Sequence, residues 1–97
     1  MSVSRNYLIS YDISDDKRRR KVFEFLLGQG DHVQYSVFIA QLDLRELAEM
    51  RTILGDFIHH KEDQVILLDM GPASNALEKS LEVVGKPLAL NPCVIVI

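Results

Sequence analysis

Residues 7–21 read YLISYDISDDKRRRK, and within this stretch the residue pattern changes from that of a strand to that of a helix. From Tyr7 to Ile13 large apolar residues occupy every second position, and Leu8, Ser10 and Asp12 lie between them. This alternation predicts a β-strand with one apolar face. The serine and two aspartates that follow predict a capped helix start, because their oxygens accept from free backbone N–H groups and suit the positive helix end.

The first helix is predicted to end at Gly28 or Gly30, since glycine is the usual residue beyond a helix C-terminus. Residues His32 to Leu42 form a second extended segment. No Gly, Pro, Asn or Asp marks a hairpin turn inside it. The pattern leaves open whether this segment is one bent strand or two short strands joined by a tight turn.

A second helix follows, and after it the sequence predicts one clear strand and several weaker elements. Asp43 and Glu46 have capping-box spacing and predict a helix that runs to about His60. Val65 to Leu68 is a continuous apolar run and predicts a third strand with no wet face. The weaker predictions come last in the chain and are a helical turn over 75–79, a strand over 81–84 and a final strand over 94–97.

Strands that alternate with two helices indicate an α+β, ferredoxin-like α/β sandwich, an antiparallel sheet with both helices on one face and C-terminal strands added. The apolar third strand then offers side chains to both sheet faces, and two helices cover only one. A second copy of the chain is the economical cover for the other face, so the pattern predicts a homodimer.

Length and composition set limits on function. Ninety-seven residues predict one domain spanning 1–97. One cysteine excludes an intramolecular disulfide, and the short apolar runs predict no membrane partner and a cytoplasmic protein. The net charge of −3 is uneven, since residues 1–30 carry six basic and four acidic side chains. A local basic surface is therefore compatible with nucleic-acid binding.

Asp12, at the exit of the first strand, is the first candidate for chemistry, because a carboxylate there can hold Mg²⁺. The alternative interpretation is that Asp12 is an ordinary polar residue at the end of the strand, or that it helps to cap the helix that follows. The run from Lys17 to Lys21 either contacts phosphates or is a solvated helix surface. On alternation, Gln34, Ser36 and Phe38 share one strand face. The tyrosines could stack on bases, but core or interface positions are the preferred interpretation.

Several of these motifs together resemble the CRISPR-associated protein two family, the small adaptation subunit. They are residues 11–16, the arginines at 18 and 19, Gly30 and the segment from Val33 to Phe38. The resemblance covers about residues 6–71 and implies a ferredoxin-like homodimer. It also implies a Mg²⁺-dependent endonuclease acting on RNA or duplex DNA, and assembly with the larger CRISPR integrase subunit.

The resemblance also implies roles for single residues. Asp12 would be the catalytic, metal-binding aspartate. Arg19 would contact phosphate, and Ser36 and Phe38 would line the cleft or the dimer contact. Together with the basic run and the strand patterns, the predicted nucleic-acid contacts are Arg18, Arg19 and Lys21, and the predicted cleft or dimer contacts are Tyr11, Gln34, Ser36 and Phe38. Where other members carry a basic residue ahead of the last segment, this chain has His32.

Two alternative functions stay open at this stage. One is a non-catalytic DNA-binding scaffold that bridges integrase dimers. The other is a ferredoxin-like regulatory dimer that binds a small ligand, against which the basic run in the first helix argues.

Overall fold

The computed structural model describes residues 3–88, and in this range the strands and helices alternate. The elements in chain order are β1 (Arg5–Asp12), α1 (Asp16–Leu27), β2 (Asp31–Gln34), β3 (Val37–Leu42), α2 (Leu44–Phe57) and β4 (Gln64–Pro72), followed by a 3₁₀ turn over Leu77–Lys79. The four strands form one antiparallel sheet in the order β2-β3-β1-β4. This is the ferredoxin-like α+β topology predicted from the sequence.

One face of the sheet is covered by both helices. The alternating apolar residues of β1 and β3 point to this helix face, where they pack against Val22 and Leu26 of α1 and Met50 and Leu54 of α2. Cross-strand neighbours share a face, and Ile9 lies opposite Phe38 in the ladder. The core therefore lies between the helices and this side of the sheet.

The opposite sheet face, called the outer face here, is covered by neither α1 nor α2. Leu8 of β1 lies between Ile39 of β3 and Leu68 of β4. Ile66 and Leu68 are 52% and 54% exposed. The prediction of a second apolar sheet face is confirmed.

Both helix starts agree with the sequence prediction. The Asp15 carboxylate accepts from the Arg18 N–H at 2.9 Å, and Gly28 is the C-cap of α1. At α2, Asp43 and Glu46 form the reciprocal capping box. The prediction that α2 runs to about His60 is wrong by one turn, because His60 Nε2 donates to the Gly55 carbonyl at 2.8 Å and the chain is extended at Ile58.

The segment from His32 to Leu42 is two short strands rather than one bent strand. Tyr35 and Ser36 form the turn between β2 and β3. The Ser36 carbonyl accepts from the Tyr11 N–H at 3.2 Å, and the Tyr35 carbonyl accepts from His32 Nε2 at 3.2 Å. These two hydrogen bonds hold a turn that no glycine or proline marks.

The strand predicted at 81–84 is wrong. Residues 81–84 are irregular and lie outside the four-stranded sheet, and the Leu81 N–H donates to the Leu77 carbonyl at 2.8 Å, which closes the end of the preceding 3₁₀ turn. The strand predicted at 94–97 lies outside the described residues. Between residues 3 and 88, no helix combines the length and the apolar character that crossing a bilayer requires.

Candidate nucleic-acid interface

Asp12 is the last residue of β1, and its side chain is exposed. In the ladder it lies opposite Gln64 of β4. Successive side chains of a strand point to opposite faces. Asp12 therefore lies on the outer face with Leu8, four residues earlier, whereas its neighbour Tyr11 points to the helix face. Asp12 therefore stands at a strand end beside the apolar patch.

Asp12 does not belong to a cluster of metal ligands. In the part of the chain that the structure describes, no three His, Cys, Asp or Glu side chains come together to hold a metal ion. One carboxylate still suits Mg²⁺, which keeps several waters and binds through one or two carboxylates together with substrate phosphates. The donor set fits such an ion if a second copy or the substrate supplies further oxygens.

Arg18 is held by two acidic residues ahead of β4. Its Nε donates to Asp63 at 2.7 Å, and its guanidinium also reaches Glu62 at 3.2 Å. The hydrogen bond to Asp63 raises the pKa of Arg18, and the same bond lowers the pKa of Asp63. The phosphate contact of Arg18 stays a prediction, and in the folded chain its guanidinium connects α1 to the α2–β4 loop.

Arg19 folds back onto the loop between β1 and α1. One guanidinium nitrogen donates to the carbonyls of Ile13 and Ser14 at 3.0 and 3.1 Å, and another contacts Asp16. The contact with Asp16 raises the pKa of Arg19. These three contacts fix the loop that directly follows Asp12.

The remaining basic side chains of the run are exposed. Lys17, Arg20 and Lys21 border a shallow depression of about 260 Å³ along α1. Lys21 Nζ lies 5.1 Å from the ring centre of Phe57, within cation–π range. Three cations on one helix surface can contact a polyanion without displacing an ion pair.

A groove of about 470 Å³ opens between α1 and the β2–β3 turn. Its lining combines aromatic rings with charged groups. The lining residues are Tyr11, Asp16, Arg19, Arg20, Phe23, His32 and Tyr35. The groove is therefore a concave surface of the size of small-ligand sites, with both apolar walls and cations.

Rings form the inner wall of this groove. The His32 ring stacks on Phe38 with centroids 4.7 Å apart, and Phe23 contacts both rings edge-on. Tyr11 is buried, and this burial raises the pKa of its hydroxyl, with Tyr35 adding to the rise and Arg19 opposing it. Tyr35 is 78% exposed at the turn.

The expected row of Gln34, Ser36 and Phe38 is not formed. Phe38 is 0% exposed and lies in the core. The ladder shifts register after His32, so Gln34 lies opposite Val37, and Ser36 is in the turn. The turn breaks the alternation on which the expectation rested.

Sequence patterns missed two parts of this region. Asp63 lies between α2 and β4, and its partner Arg18 is 45 positions away in the chain, so no residue spacing indicates the pair. His32 was noted only as a departure from the family pattern, and its place beside Phe23 depends on tertiary packing. No local signal identifies either contact.

Both the sequence and the fold of this chain are similar to those of known proteins. The family described as CRISPR associated protein Cas2 matches residues 5–76. A CRISPR-associated endoribonuclease Cas2 of Geobacter sulfurreducens is 38% identical over 73 residues, which are 75% of this chain and 77% of that protein. A CRISPR-associated endoribonuclease Cas2 1 of Rhodospirillum rubrum is 41% identical over 80 residues, 82% of this chain and 78% of that protein.

Solved structures show the same fold. A hypothetical protein from Thermus thermophilus superposes with a TM-score of 0.72 at 32% identity, covering 86% of this chain and 93% of its own. The crystal structure of Streptococcus pyogenes Cas2 at pH 6.5 superposes with a TM-score of 0.70 at 26% identity. The superposition covers 82% of this chain and 99% of the Streptococcus pyogenes chain.

Proposed function

The chain belongs to the CRISPR associated protein Cas2 family, and from this we propose that it is an endonuclease of CRISPR adaptation that cleaves phosphodiester bonds of RNA or duplex DNA. The relatives described above are named endoribonucleases. The observation that carries the proposal is the exposed Asp12 at the end of β1, followed by a loop that Arg19 fixes.

We assign Asp12 the catalytic and metal-binding role. Its carboxylate would hold Mg²⁺ together with phosphate oxygens and waters. When bound, such an ion stabilises developing negative charge and lowers the pKa of a coordinated water. The Arg19 contacts to Ile13 and Ser14 keep the strand exit in place, so that Asp12 does not have to be ordered on binding.

The phosphate contacts of the proposed function fall on α1. Lys21, predicted from the sequence, is exposed beside Lys17 and Arg20. Arg19 lines the groove while it holds the loop. Arg18 is paired with Asp63, so we assign it the weakest share of nucleic-acid binding.

A homodimer is the proposed working unit. Asp12 lies on the outer face that carries Ile66 and Leu68. If two copies pack these faces together, each brings its own Asp12 to the same interface, and two carboxylates can share one ion. We further propose that this dimer assembles with the CRISPR integrase subunit, as the family resemblance implies.

The test is cleavage of labelled RNA and duplex DNA with Mg²⁺ by the wild-type chain, Asp12→Asn and the control Asp56→Asn, an exposed aspartate on α2. We expect Asp12→Asn to lose cleavage by about 100-fold or more, the scale of a lost catalytic group. Asp56→Asn should cleave normally, and EDTA should stop cleavage by the wild type.

Retention of cleavage in Asp12→Asn would reject the assignment of this residue. Absence of cleavage by all three proteins would reject the nuclease and favour the non-catalytic scaffold. If integration continues with Asp12→Asn while cleavage disappears, the nuclease activity is separate from adaptation.

A further inference from the structure

Asp12 and Gln64 form the last pair of residues in the ladder between β1 and β4. On the other side of β1, the pairing with β3 stops at Ser10, so Gln64 is the residue that the described sheet places beside Asp12. Directly opposed side chains of an antiparallel pair share a face, with Cβ atoms about 4.5–5.5 Å apart. Both side chains are exposed. The Asp12 carboxylate and the Gln64 carboxamide are therefore neighbours on the outer face.

Two consecutive arginines of α1 hold the backbone on both sides of this pair. Arg19 donates to the two carbonyls that directly follow Asp12, at 3.0 and 3.1 Å. Arg18 donates at 2.7 Å to Asp63, the buried residue directly before Gln64. The fold thus fixes the starting points of both side chains before any ligand binds, which is the arrangement that a precise binding site needs.

The two side chains have no other task in the described part of the chain. Between residues 3 and 88, no side-chain hydrogen bond or ion pair engages Asp12 or Gln64. The acidic residues that flank them in the sequence are already in use as a helix cap or as partners of arginines. These residues are Asp15, Asp16, Glu62 and Asp63. The carboxylate and the amide are therefore both available to a ligand at this strand end.

We propose that Gln64 is a positioning residue for Asp12: when a divalent cation binds, the Gln64 amide donates to one carboxylate oxygen and leaves the other to the cation. This inference rests on the metal-binding role proposed for Asp12. A carboxylate has two accepting oxygens, and a carboxamide carries two N–H donors. Hydrogen bonds of this kind orient a carboxylate that binds a metal ion.

A neutral donor suits this place better than a charged one. A lysine or arginine opposite Asp12 would repel the cation, and a second carboxylate would repel the phosphates of a substrate. Ser10 is on the same face, but it lies about 6.6 Å further along β1, two residues of strand rise, and its hydroxyl is short. Ile66, the next outer-face residue of β4, has no polar atom in its side chain. Gln64 has both the reach and the chemistry.

The first test measures Mn²⁺ binding from the electron paramagnetic resonance signal of the free ion, with the full chain and without nucleic acid. The variant is Gln64→Met, because methionine keeps the length of glutamine and lacks the amide. The matched control is Gln41→Met, an exposed glutamine of β3 that lies opposite Asn6, far along β1 from Asp12.

We expect Gln64→Met to raise the Kd for Mn²⁺ by about 10- to 100-fold, the usual effect of removing the hydrogen-bond partner of a metal ligand. Gln41→Met should bind Mn²⁺ like the wild type. Thermal melts should show equal Tm values for the two variants, because both glutamines are exposed. A purely structural role of Gln64 would instead lower Tm.

The second test follows the side-chain amide N–H resonances by nuclear magnetic resonance while Mg²⁺ is added. The Gln64 resonances, assigned by their absence in Gln64→Met, should shift with Mg²⁺ in the wild type. They should not shift in Asp12→Asn, because the proposed hydrogen bond forms through the Asp12 carboxylate. The Gln41 resonances should stay in place in both proteins.

The proposal is overturned if Gln64→Met binds Mn²⁺ like the wild type, or if the Gln64 resonances respond to Mg²⁺ equally in Asp12→Asn. Mn²⁺ binding by Asp12→Asn that equals the wild type would reject the metal role of this aspartate and the positioning role with it. Cleavage is measured separately. If no protein cleaves nucleic acid and the Gln64→Met difference in Mn²⁺ binding persists, the nuclease is rejected and the positioning role stands.

Discussion

Asp63 is the polar residue on which the loop between α2 and β4 depends. Its side chain is 0% exposed, yet it accepts from Arg18 and from the His59 N–H at 2.8 Å. A buried carboxylate is tolerated when its oxygens are paired in this way. Because Arg18 belongs to α1, one side chain holds the basic helix against the loop that leads into β4.

The Asp63 contacts predict an acid-sensitive stability. The bond from Arg18, and then that from His59, lower the pKa of the folded Asp63 below 3.8. Its contribution is therefore fully present above the unfolded pKa and is lost as the pH falls from about 3.8 through the lower folded value. Urea unfolding at a series of pH values should show the free energy of unfolding declining in this window.

Asp63→Asn should flatten that decline and lower stability at pH 7, because Arg18 loses its charged partner. The exposed Asp56→Asn serves as the control and should follow the wild-type curve. An unchanged acid dependence in Asp63→Asn would contradict this account. Asp69, whose pKa is also lowered by the Gly71 N–H and Arg5, would then be the group to replace.

At the scale of elements, the β2–β3 hairpin is positioned by a close approach of backbones. Gly30 precedes β2, and a Cβ there would lie 2.3 Å from the Ile39 carbonyl oxygen and 2.9 Å from the Ala40 Cα. Real side chains do not tolerate such contacts with backbone atoms. The end of α1 can therefore approach β3 only where the residue has no side chain.

Gly30→Ala should destabilise the chain by about 1–3 kcal/mol, the usual cost of overpacking. For a domain of this size each 1 kcal/mol lowers Tm by about 4–8 °C. Gly28→Ala is the matched control, since its Cβ would meet only the Phe25 oxygen at an ordinary 3.5 Å. Thermal melts followed by circular dichroism measure both. Equal Tm values for the two variants would contradict the argument.

The elements differ in how far sequence could predict them. β1 and the helix caps are encoded locally, so alternation and the Asp43–Glu46 spacing were sufficient. The hairpin turn depends on hydrogen bonds from Tyr11 and His32, which no local pattern shows. The strand predicted at 81–84 failed because apolar composition alone does not supply a neighbouring strand to pair with.

The candidate site was predicted in part for the same reason. Alternation along β1 placed Asp12 on the face opposite Tyr11, as the structure has it. The sequence shows the run of basic residues from Lys17 to Lys21. It does not show which of these side chains form ion pairs in the folded chain. Arg18 and Arg19 differ from Arg20 only through partners in the folded chain.

At the scale of the whole molecule, the outer face exposes apolar side chains that a partner could cover. Ile66 and Leu68 are about half exposed and lie beside Leu8 on the sheet face that neither α1 nor α2 covers, whereas Ile39 on the same face is buried. An apolar surface of this kind favours association of copies. This supports the proposed homodimer.

Leu68→Glu should convert the proposed dimer into a monomer, because it places a charge in the apolar interface. Leu27→Glu is the control, since Leu27 is 49% exposed on α1 and Leu68 is 54% exposed on the outer face. Size-exclusion chromatography with light scattering reports the mass of each. A dimer that persists in Leu68→Glu, or a wild-type monomer, would reject the outer face as the interface.

The place of β1 in the sheet limits the movement of the strand end that carries Asp12. β1 pairs with β3 on one side and β4 on the other. Strands bonded on both sides open at the highest free energies, whereas edge hairpins open at lower ones. The proposed catalytic carboxylate thus stands on a strand that opens late, whereas the β2–β3 turn with Tyr35 belongs to the edge of the sheet and opens earlier. The groove beside this turn can therefore change its shape while the carboxylate stays in place.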